Sequence, residues 1–317
     1  MRPSIRAFRA ADAPALAEWL DPLAPAEAVC TPAVLVHQRR GLPRRARVCA
    51  LVALEGGTPV GLAWEGAQIF GSRPGLRRIW VAVRPDRRCR GIGSALWERA
   101  EAHALAVGGR TLRSWAIADP PAGERFLLAR GCTQTGRELQ SWMDPRAVDR
   151  DELQRRRAAA RRRGFEVHTL REVLPRFEAP VRNLFLEADQ AAPGHDAGAL
   201  VAPATFRRYI LESPTLDRDL SVVVMEGERP VSLCWLKGDA AVGRYGVEFT
   251  GTRHSMRGRG LASLAKLEAL YLAARAGVRW VGTANEESNG PMLAINRRLG
   301  HRPLPDLLQF ERALPRP

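Results

Sequence analysis

The chain of 317 residues is long enough for two domains of ordinary size, each with its own hydrophobic core. Its formal net charge of +15 comes almost entirely from arginine, and such a positive field attracts anionic partners such as phosphorylated cofactors. The five cysteines contain no C-x-x-C pair and no stretch approaches 18 apolar residues, which excludes the usual signals of a zinc site and a membrane span and favours a reduced, cytoplasmic protein.

Hydrophobic patterns predict an alternating order of strands and helices in the first half. In chain order they indicate a strand at 4–9, a helix carrying Leu16 and Leu20, a hairpin at 48–54 and 60–64, a strand at 79–83, a helix at 92–107, a strand at 111–117, a helix at 123–129 and closing strands at 133–143. Residues 22–45 are rich in proline and arginine, and their pattern assigns no element.

The second half repeats the first. Residues 52–64 align without gaps on residues 223–235, with seven of thirteen positions identical, and the pattern R-x-x-G-x-G/A occurs at 88–93 and again at 257–262. We therefore predict an internal duplication: an N-terminal domain over 1–148, a basic helical linker over 149–163 and a C-terminal domain over 164–317.

Each copy of the pattern lies between a predicted strand and a predicted helix. A glycine turn at this point presents free backbone N–H groups at the positive end of the helix dipole, with arginines alongside. The sequence therefore predicts a pyrophosphate-binding turn, although neither the P-loop nor the Rossmann spelling is present.

This order of strand, R-x-x-G-x-G/A turn, helix, strand and short helix resembles the GNAT superfamily of acyl-CoA N-acyltransferases. The duplication resembles the tandem members of that superfamily, in an organisation similar to that of the mycothiol synthases. The resemblance implies an α/β protein of two tandem GNAT-like domains, each with a mixed, mostly antiparallel sheet, a splayed parallel strand pair and flanking helices.

The resemblance also implies which residues bind acetyl-CoA. The turn would hold the pyrophosphate, the strand edge before it would pair with the pantetheine arm, and two asparagines would lie along that arm. In the first half the implied residues are Val81, Val83, Arg88, Arg90, Gly91 and Gly93. In the second half they are Gly251, Thr252, Arg257, Gly258, Arg259, Gly260, Leu261, Ala262, Asn285 and Asn289.

Proton transfer departs from the family pattern. The position of the usual glutamate base is Gly246, so Glu248, two residues later, is the candidate base. Asn296 occupies the position of the usual tyrosine acid; protonation by solvent, Tyr245 or Tyr271 remains open. The first half has Ile79, Ala116 and Pro120 at the sequence positions of Glu248, Asn285 and Asn289. This comparison predicts a catalytic second half and a first half without chemistry, with two active halves as the alternative.

The resulting hypothesis is an acetyl-CoA-dependent N-acetyltransferase that acts on the primary amine of a small molecule. The alternatives are a non-catalytic acetyl-CoA sensor and an aminoacyl-tRNA-dependent transferase. Neither nucleic acid nor a membrane is expected as a partner, and a monomer with an internal pseudo-dimer is expected. The candidates for recognising the amine, in the region that often covers the acceptor site in GNAT domains, are Glu187, Asp189, His195 and Asp196.

Overall fold

The computed structural model describes residues 3–68, 73–193 and 201–315. Within these ranges thirteen strands form one mixed sheet, accompanied by nine α-helices. The first half contains β1 (Ser4–Ala7), α1 (Ala13–Leu20), α2 (Pro32–Gly41), β2 (Cys49–Glu55), β3 (Thr58–Ala67), β4 (Leu76–Val83), α3 (Ile92–Ala106), β5 (Thr111–Ile117), α4 (Ala122–Leu128) and β6 (Thr133–Met143). The linker helix is α5 (Arg150–Arg161), and the second half contains β7 (Phe165–Thr169), α6 (Leu170–Gln190), α7 (Pro203–Phe206), β8 (Leu216–Glu226), β9 (Arg229–Asp239), β10 (Arg244–Thr252), α8 (Leu261–Arg275), β11 (Trp280–Glu286), α9 (Gly290–Arg298), β12 (Arg302–Pro303) and β13 (Leu307–Ala313).

The predicted strand, turn and helix units are confirmed in both halves. In each half a strand leads through one turn of 3₁₀-helix and a glycine in the left-handed conformation into a helix of 15 residues, α3 or α8. Sequence patterns did not predict α2, which begins behind an N-cap from Thr31.

The parallel strand pair of each half is splayed, as the resemblance implied. Strands β4 and β5 are paired from Leu76 opposite Thr111 only as far as Arg78 opposite Arg113. Strands β10 and β11 are paired only as far as Gly246 opposite Gly282. Beyond these points no strand of the described residues pairs with the facing strand edges.

The two halves exchange their closing strands. Strand β13, at the end of the chain, lies between β5 and β6, whereas β6 pairs with β11 of the second half. Phe310 of β13 is buried with the core of the first half, and Met143 of β6 with the core of the second. Each half of the sequence therefore completes its hydrophobic core with a strand from the other half.

The linker helix α5 is not fully solvated. Leu153 and Ala160 are buried against the second half, and the Arg157 guanidinium forms an ion pair with the buried Glu268 on α8. No helix in the described ranges is both long and apolar enough to span a lipid bilayer.

Candidate active site

The second glycine turn has the geometry of an anion site. Gly258 and Gly260 both have a left-handed backbone, with φ of +75° and +77°, and Gly260 is the N-cap of α8. No atom of the part of the chain that the structure describes lies within 4 Å of the position that a Cβ would take at Gly258, so the turn faces open space there. The first N–H groups of α8, from Leu261 and Ala262 onward, have no partner within the helix, and the side chains of Arg257 and Arg259 are exposed beside them.

Side chains from α6 and from the linker fix this turn. Glu187 accepts hydrogen bonds from the Arg253 guanidinium at 2.6 Å and from the backbone N–H of His254 at 2.9 Å. Arg163 donates to the carbonyl oxygen of Arg259 at 3.1 Å, and the guanidinium of Arg156 lies 3.8 Å from the Cβ position of Gly260. The linker therefore adds positive charge to the second turn.

The structure thus places Glu187, a predicted amine-binding residue, at the second glycine turn. Asp189 does line the cavity described below. His195 and Asp196 lie outside the described residues.

The strand edge before this turn is open on one side. Gly251 and Thr252 pair with Leu233 and Ser232 of β9, while their other edge faces the gap between β10 and β11. A Cβ on Gly251 would lie 2.6 Å from the Cβ of Ala188, so glycine lets α6 pack directly on this strand. The free edge can accept an extended chain that carries amide groups.

A cavity of about 280 Å³ lies where β10 and β11 part. Residues 247–250 and 283–286 of these strands form part of its wall, together with Asn289. The first half contributes Arg78 and Trp115, and the exchanged strand β6 contributes Glu138. The cavity is therefore built by both halves of the chain.

A buried polar chain leads from the core of the second half to this cavity. Lys266 is fully buried, and its ammonium group donates to the Asn296 side-chain oxygen at 2.5 Å. The Asn296 amide donates in turn to the Asn285 side-chain oxygen at 2.7 Å. Burial lowers the pKa of Lys266 to about 8, so its charge is easily lost compared with that of an exposed lysine.

The sequence analysis predicted no role for Lys266. The available signal is a lysine flanked by apolar residues on both sides, Ala265 and Leu267, because a lysine is rarely fully buried without a partner. Asn285 and Asn296, predicted to act in the site, are joined by the hydrogen bond between their side chains. Asn289 lies farther along, where its side chain caps α9 by accepting from the backbone N–H of Met292 at 3.3 Å.

The candidate base, Glu248, lies in the cavity wall in a β-bulge. Val247 pairs with Leu236 and Phe249 with Trp235, so Glu248 is an extra residue without an opposite partner. Its carboxylate is exposed and accepts a hydrogen bond from Lys237 at 2.5 Å.

The bulge corrects one sequence comparison. The constant offset between the halves pairs Glu248 with Ile79, but the strand registers place Val247 in the position of Ile79, since their partners are Leu236 and Glu65. Glu248 has no counterpart in the first half. Of the alternative acids, Tyr245 donates a hydrogen bond to the Asp217 carboxylate at 3.1 Å. Burial is the main cause, and the charge of Asp217 the second, that raises the pKa of Tyr245 to about 12.

The first glycine turn keeps the backbone path but differs in detail. Gly91 is the N-cap of α3 with φ of +78°, yet Cys89, at the position of Gly258, is a non-glycine residue with φ of +59°. The Arg88 side chain donates to the carbonyl oxygen of Val83 at 3.2 Å, at the end of the strand edge that was predicted to bind pantetheine. A Cβ on Gly93 would lie 3.1 Å from the Phe126 ring.

The remaining predicted residues of the first half lie in a paired strand or on the surface. Val81 and Val83 pair with Ala63 and Gly61 of β3, and the side chain of Arg90 is exposed.

Comparison with known proteins finds one family model that matches part of the first half. The sequence profile of the acetyltransferase (GNAT) family matches residues 13–130. Among proteins of curated function, none has a significantly similar sequence.

Solved structures match the whole chain. A tandem GNAT protein from the clavulanic acid biosynthesis pathway, solved without AcCoA, has a TM-score of 0.73 at 20% identity, with 98% of both chains covered. A GCN5-related N-acetyltransferase from Sphaerobacter thermophilus has a TM-score of 0.67 at 19% identity, with 100% of this chain and 96% of that chain covered. A GCN5-related glucosamine N-acetyltransferase region of a fungal multidomain GH3 β-N-acetylglucosaminidase has a TM-score of 0.67 at 15% identity, with 98% of this chain and 38% of that chain covered.

The first half therefore contains a GNAT acetyltransferase domain, and the complete chain has the fold of tandem GNAT proteins.

Proposed function

We propose that this protein is an acetyl-CoA-dependent N-acetyltransferase that transfers an acetyl group to the primary amine of a small molecule, and that its second half performs the reaction. The observation that carries the proposal is a continuous path in the second half. The open glycine turn, the free edge of β10 and the cavity between β10 and β11 follow one another over residues 247–260.

The residues present fit acetyl-CoA. The turn from Arg257 to Ala262 would hold the pyrophosphate through backbone N–H groups and arginine charge. The edge at Gly251 and Thr252 would pair with the amides of the pantetheine arm, which directs the thioester toward the cavity. Asn285 is held by Asn296 in the cavity wall, so it is oriented before any ligand arrives.

In the reaction, the nitrogen lone pair attacks the thioester carbonyl carbon. A C–N bond forms, the C–S bond breaks, the thiolate leaves, and one proton must leave the nitrogen. An amine with a pKa near 10 arrives mostly as the ammonium ion, so it first loses one proton to solvent to free its lone pair. A group in the cavity accepts the second proton, which leaves the nitrogen as the amide forms. Glu248 is the candidate that the sequence suggests.

The cavity lining supports an amine as the acceptor. Among its described residues are four carboxylates and three cationic side chains, Arg78, Arg113 and Lys266, so the formal charge of the lining is −1 and favours a small cationic molecule. The carboxylates are Glu138, Asp189, Glu248 and Glu286. The volume of about 280 Å³ suits a small molecule.

Isothermal titration calorimetry with acetyl-CoA tests the proposal first, followed by thiol release with a panel of amino sugars, amino-acid amides and diamines. We expect saturable binding of acetyl-CoA and thiol release that depends on one class of amine. Binding without release by any amine would favour a sensor. Stabilisation by tRNA but not by acetyl-CoA in a thermal shift assay would favour an aminoacyl-tRNA-dependent transferase.

We further propose that the protein is a monomer, because the strand exchange already joins two GNAT units within one chain. Light scattering coupled to size-exclusion chromatography would then give the mass of one chain, 34.9 kDa.

A further inference from the structure

Two glycines mark the point at which β10 and β11 part, and a segment of the first half lies directly on them. A Cβ on Gly246 would be 1.9 Å from the carbonyl oxygen of Glu27, and a Cβ on Gly282 would be 2.0 Å from that of Ala26. No other residue could occupy these two positions while the segment keeps its place. The cavity begins at the next residue of each strand, Val247 and Thr283.

Polar contacts hold this segment in place. The backbone N–H of Ala26 donates to the side-chain oxygen of the buried Gln140 on β6 at 2.7 Å. The Arg244 guanidinium donates to the carbonyl oxygens of Asp21 and Ala28 and, at 2.7 Å, to the Asp21 carboxylate. Residues of the second half and the exchanged strand therefore fix the position of Glu27.

The carboxyl group of Glu27 is only partly satisfied, by a hydrogen bond with the backbone of Glu27 itself. Its Oε2 atom is buried and has no hydrogen-bond partner among the described residues. A buried carboxyl oxygen without a partner lowers stability, so its presence calls for another reason. Burial, followed by the nearby negative charges of Glu138 and Glu248, raises the pKa of Glu27 to about 7. Both of these neighbours line the cavity, and Lys237 and Arg78 are the cations that face them.

We propose that Glu27, supplied by the first half, is the proton acceptor of the reaction in the second half. This inference rests on the proposed function. As the C–N bond forms, the proton of the attacking nitrogen passes to the Glu27 carboxylate, directly or through one water molecule. The C–S bond breaks with its electron pair on sulfur, and the Glu27 proton is afterwards returned to solvent. A carboxyl group that titrates near neutral pH suits this transfer, since it is ionised when the amine arrives and gives the proton up readily.

The pH profile of kcat separates Glu27 from Glu248. Acetyl-CoA and the best amine of the panel above are used with the full-length chain. We expect an acid limb with a midpoint near pH 7 in the wild type. In Glu27→Gln that limb should disappear and kcat at pH 8 should fall about 100-fold or more, with acetyl-CoA affinity within twofold of wild type. Glu27→Asp should recover part of the rate, and Glu18→Gln, an exposed carboxylate on α1, should match the wild type.

Glu248→Gln should keep the acid limb but move its midpoint to lower pH, because it removes one of the charges that raise the pKa of Glu27. An unchanged limb in Glu27→Gln, or a limb lost in Glu248→Gln and kept in Glu27→Gln, would overturn the proposal in favour of another base. If the wild type neither binds acetyl-CoA nor releases thiol, the proposed function itself fails and the inference falls with it.

Discussion

The two halves share one backbone plan, yet three matched positions have opposite chemistry. In the second half they hold the hydrogen-bonded chain of Lys266, Asn296 and Asn285. In the first half the same positions hold Trp97, Leu127 and Ala116, all buried in an apolar core. A glycine turn and a splayed strand pair therefore do not by themselves make a polar site, because the residues packed against the strands can form an apolar core instead.

The last paired positions of the two parallel strand pairs also differ between the halves. In the second half they are glycines, on which the segment with Glu27 lies. The strand registers place Arg78 and Arg113 at the corresponding positions of the first half. The Arg78 guanidinium stacks on the Trp115 ring at 4.5 Å, and Arg113 pairs with Glu311 at 2.7 Å. Of these two places where strands part, only the one in the second half has space for the backbone of a segment from the other half.

A matched pair of turn variants, Gly260→Glu and Gly91→Glu, tests whether only the second half is active. Both glycines have φ near +78°, so the conformational strain of the two variants is similar. Glutamate at 260 places bulk and negative charge where the proposed pyrophosphate lies. We expect thiol release to fall more than 100-fold in Gly260→Glu and to stay within a fewfold of wild type in Gly91→Glu. Equal losses in variants of equal melting temperature would contradict the assignment of the active half.

Local features of this fold were predictable from the sequence. The hairpin of β2 and β3 and both strand, turn and helix units rest on patterns within about 30 residues of chain. The exchange of β6 and β13 was not predictable in this way, because the choice of neighbour of each closing strand depends on packing between distant segments. The position of Glu248 was also misaligned, since a one-residue bulge leaves no mark in the sequence pattern.

The candidate site likewise has local features that were predictable from the sequence and long-range features that were not. The glycine turns carry their chemistry in their own residues, so their motif identified them. Glu27 lies in a segment rich in proline without periodicity, and it gains its environment only when that segment docks on Gly246 and Gly282. Similarly, the pKa of Lys266 reflects burial, which a sequence does not display.

The buried lysine gives a second test of the difference between the halves. Its folded-state pKa of about 8 lies below the ordinary value of 10.5, so the unfolded chain holds this proton more tightly. The free energy of unfolding should therefore rise by roughly 3 kcal/mol from this residue as the pH increases from 8 to 10.5, and this contribution is absent below pH 8. In Lys266→Met the rise should be smaller by that amount, measured by urea denaturation at pH 7.5, 9 and 10.5. Parallel pH curves for the two proteins would show that Lys266 is not held in a desolvated site.

A third test addresses the docking of the first-half segment. Gly246→Ala should displace residues 26–27, because the added methyl group meets their backbone, and it should lower the free energy of unfolding by about 1–3 kcal/mol. The control is Gly290→Ala at the start of α9, where no atom lies within 4 Å of the new Cβ. Urea denaturation of both variants measures the difference. An undisturbed Gly246→Ala protein would mean that the segment is not packed on the parted strands.

The smallest expected effect comes from exchanging the residues that distinguish the two turns. Cys89 has a left-handed backbone that glycine adopts without strain, so Cys89→Gly should raise the free energy of unfolding by about 1 kcal/mol. Gly258→Cys should lower it by a similar amount, because φ at Gly258 is +75° and the open space around it adds no clash. Acetyl-CoA affinity should change only in Gly258→Cys if the second turn alone binds the pyrophosphate. A change of affinity in Cys89→Gly would instead show that the first turn is also a binding site, and the contrast between the halves would then be confined to the residues behind the strands.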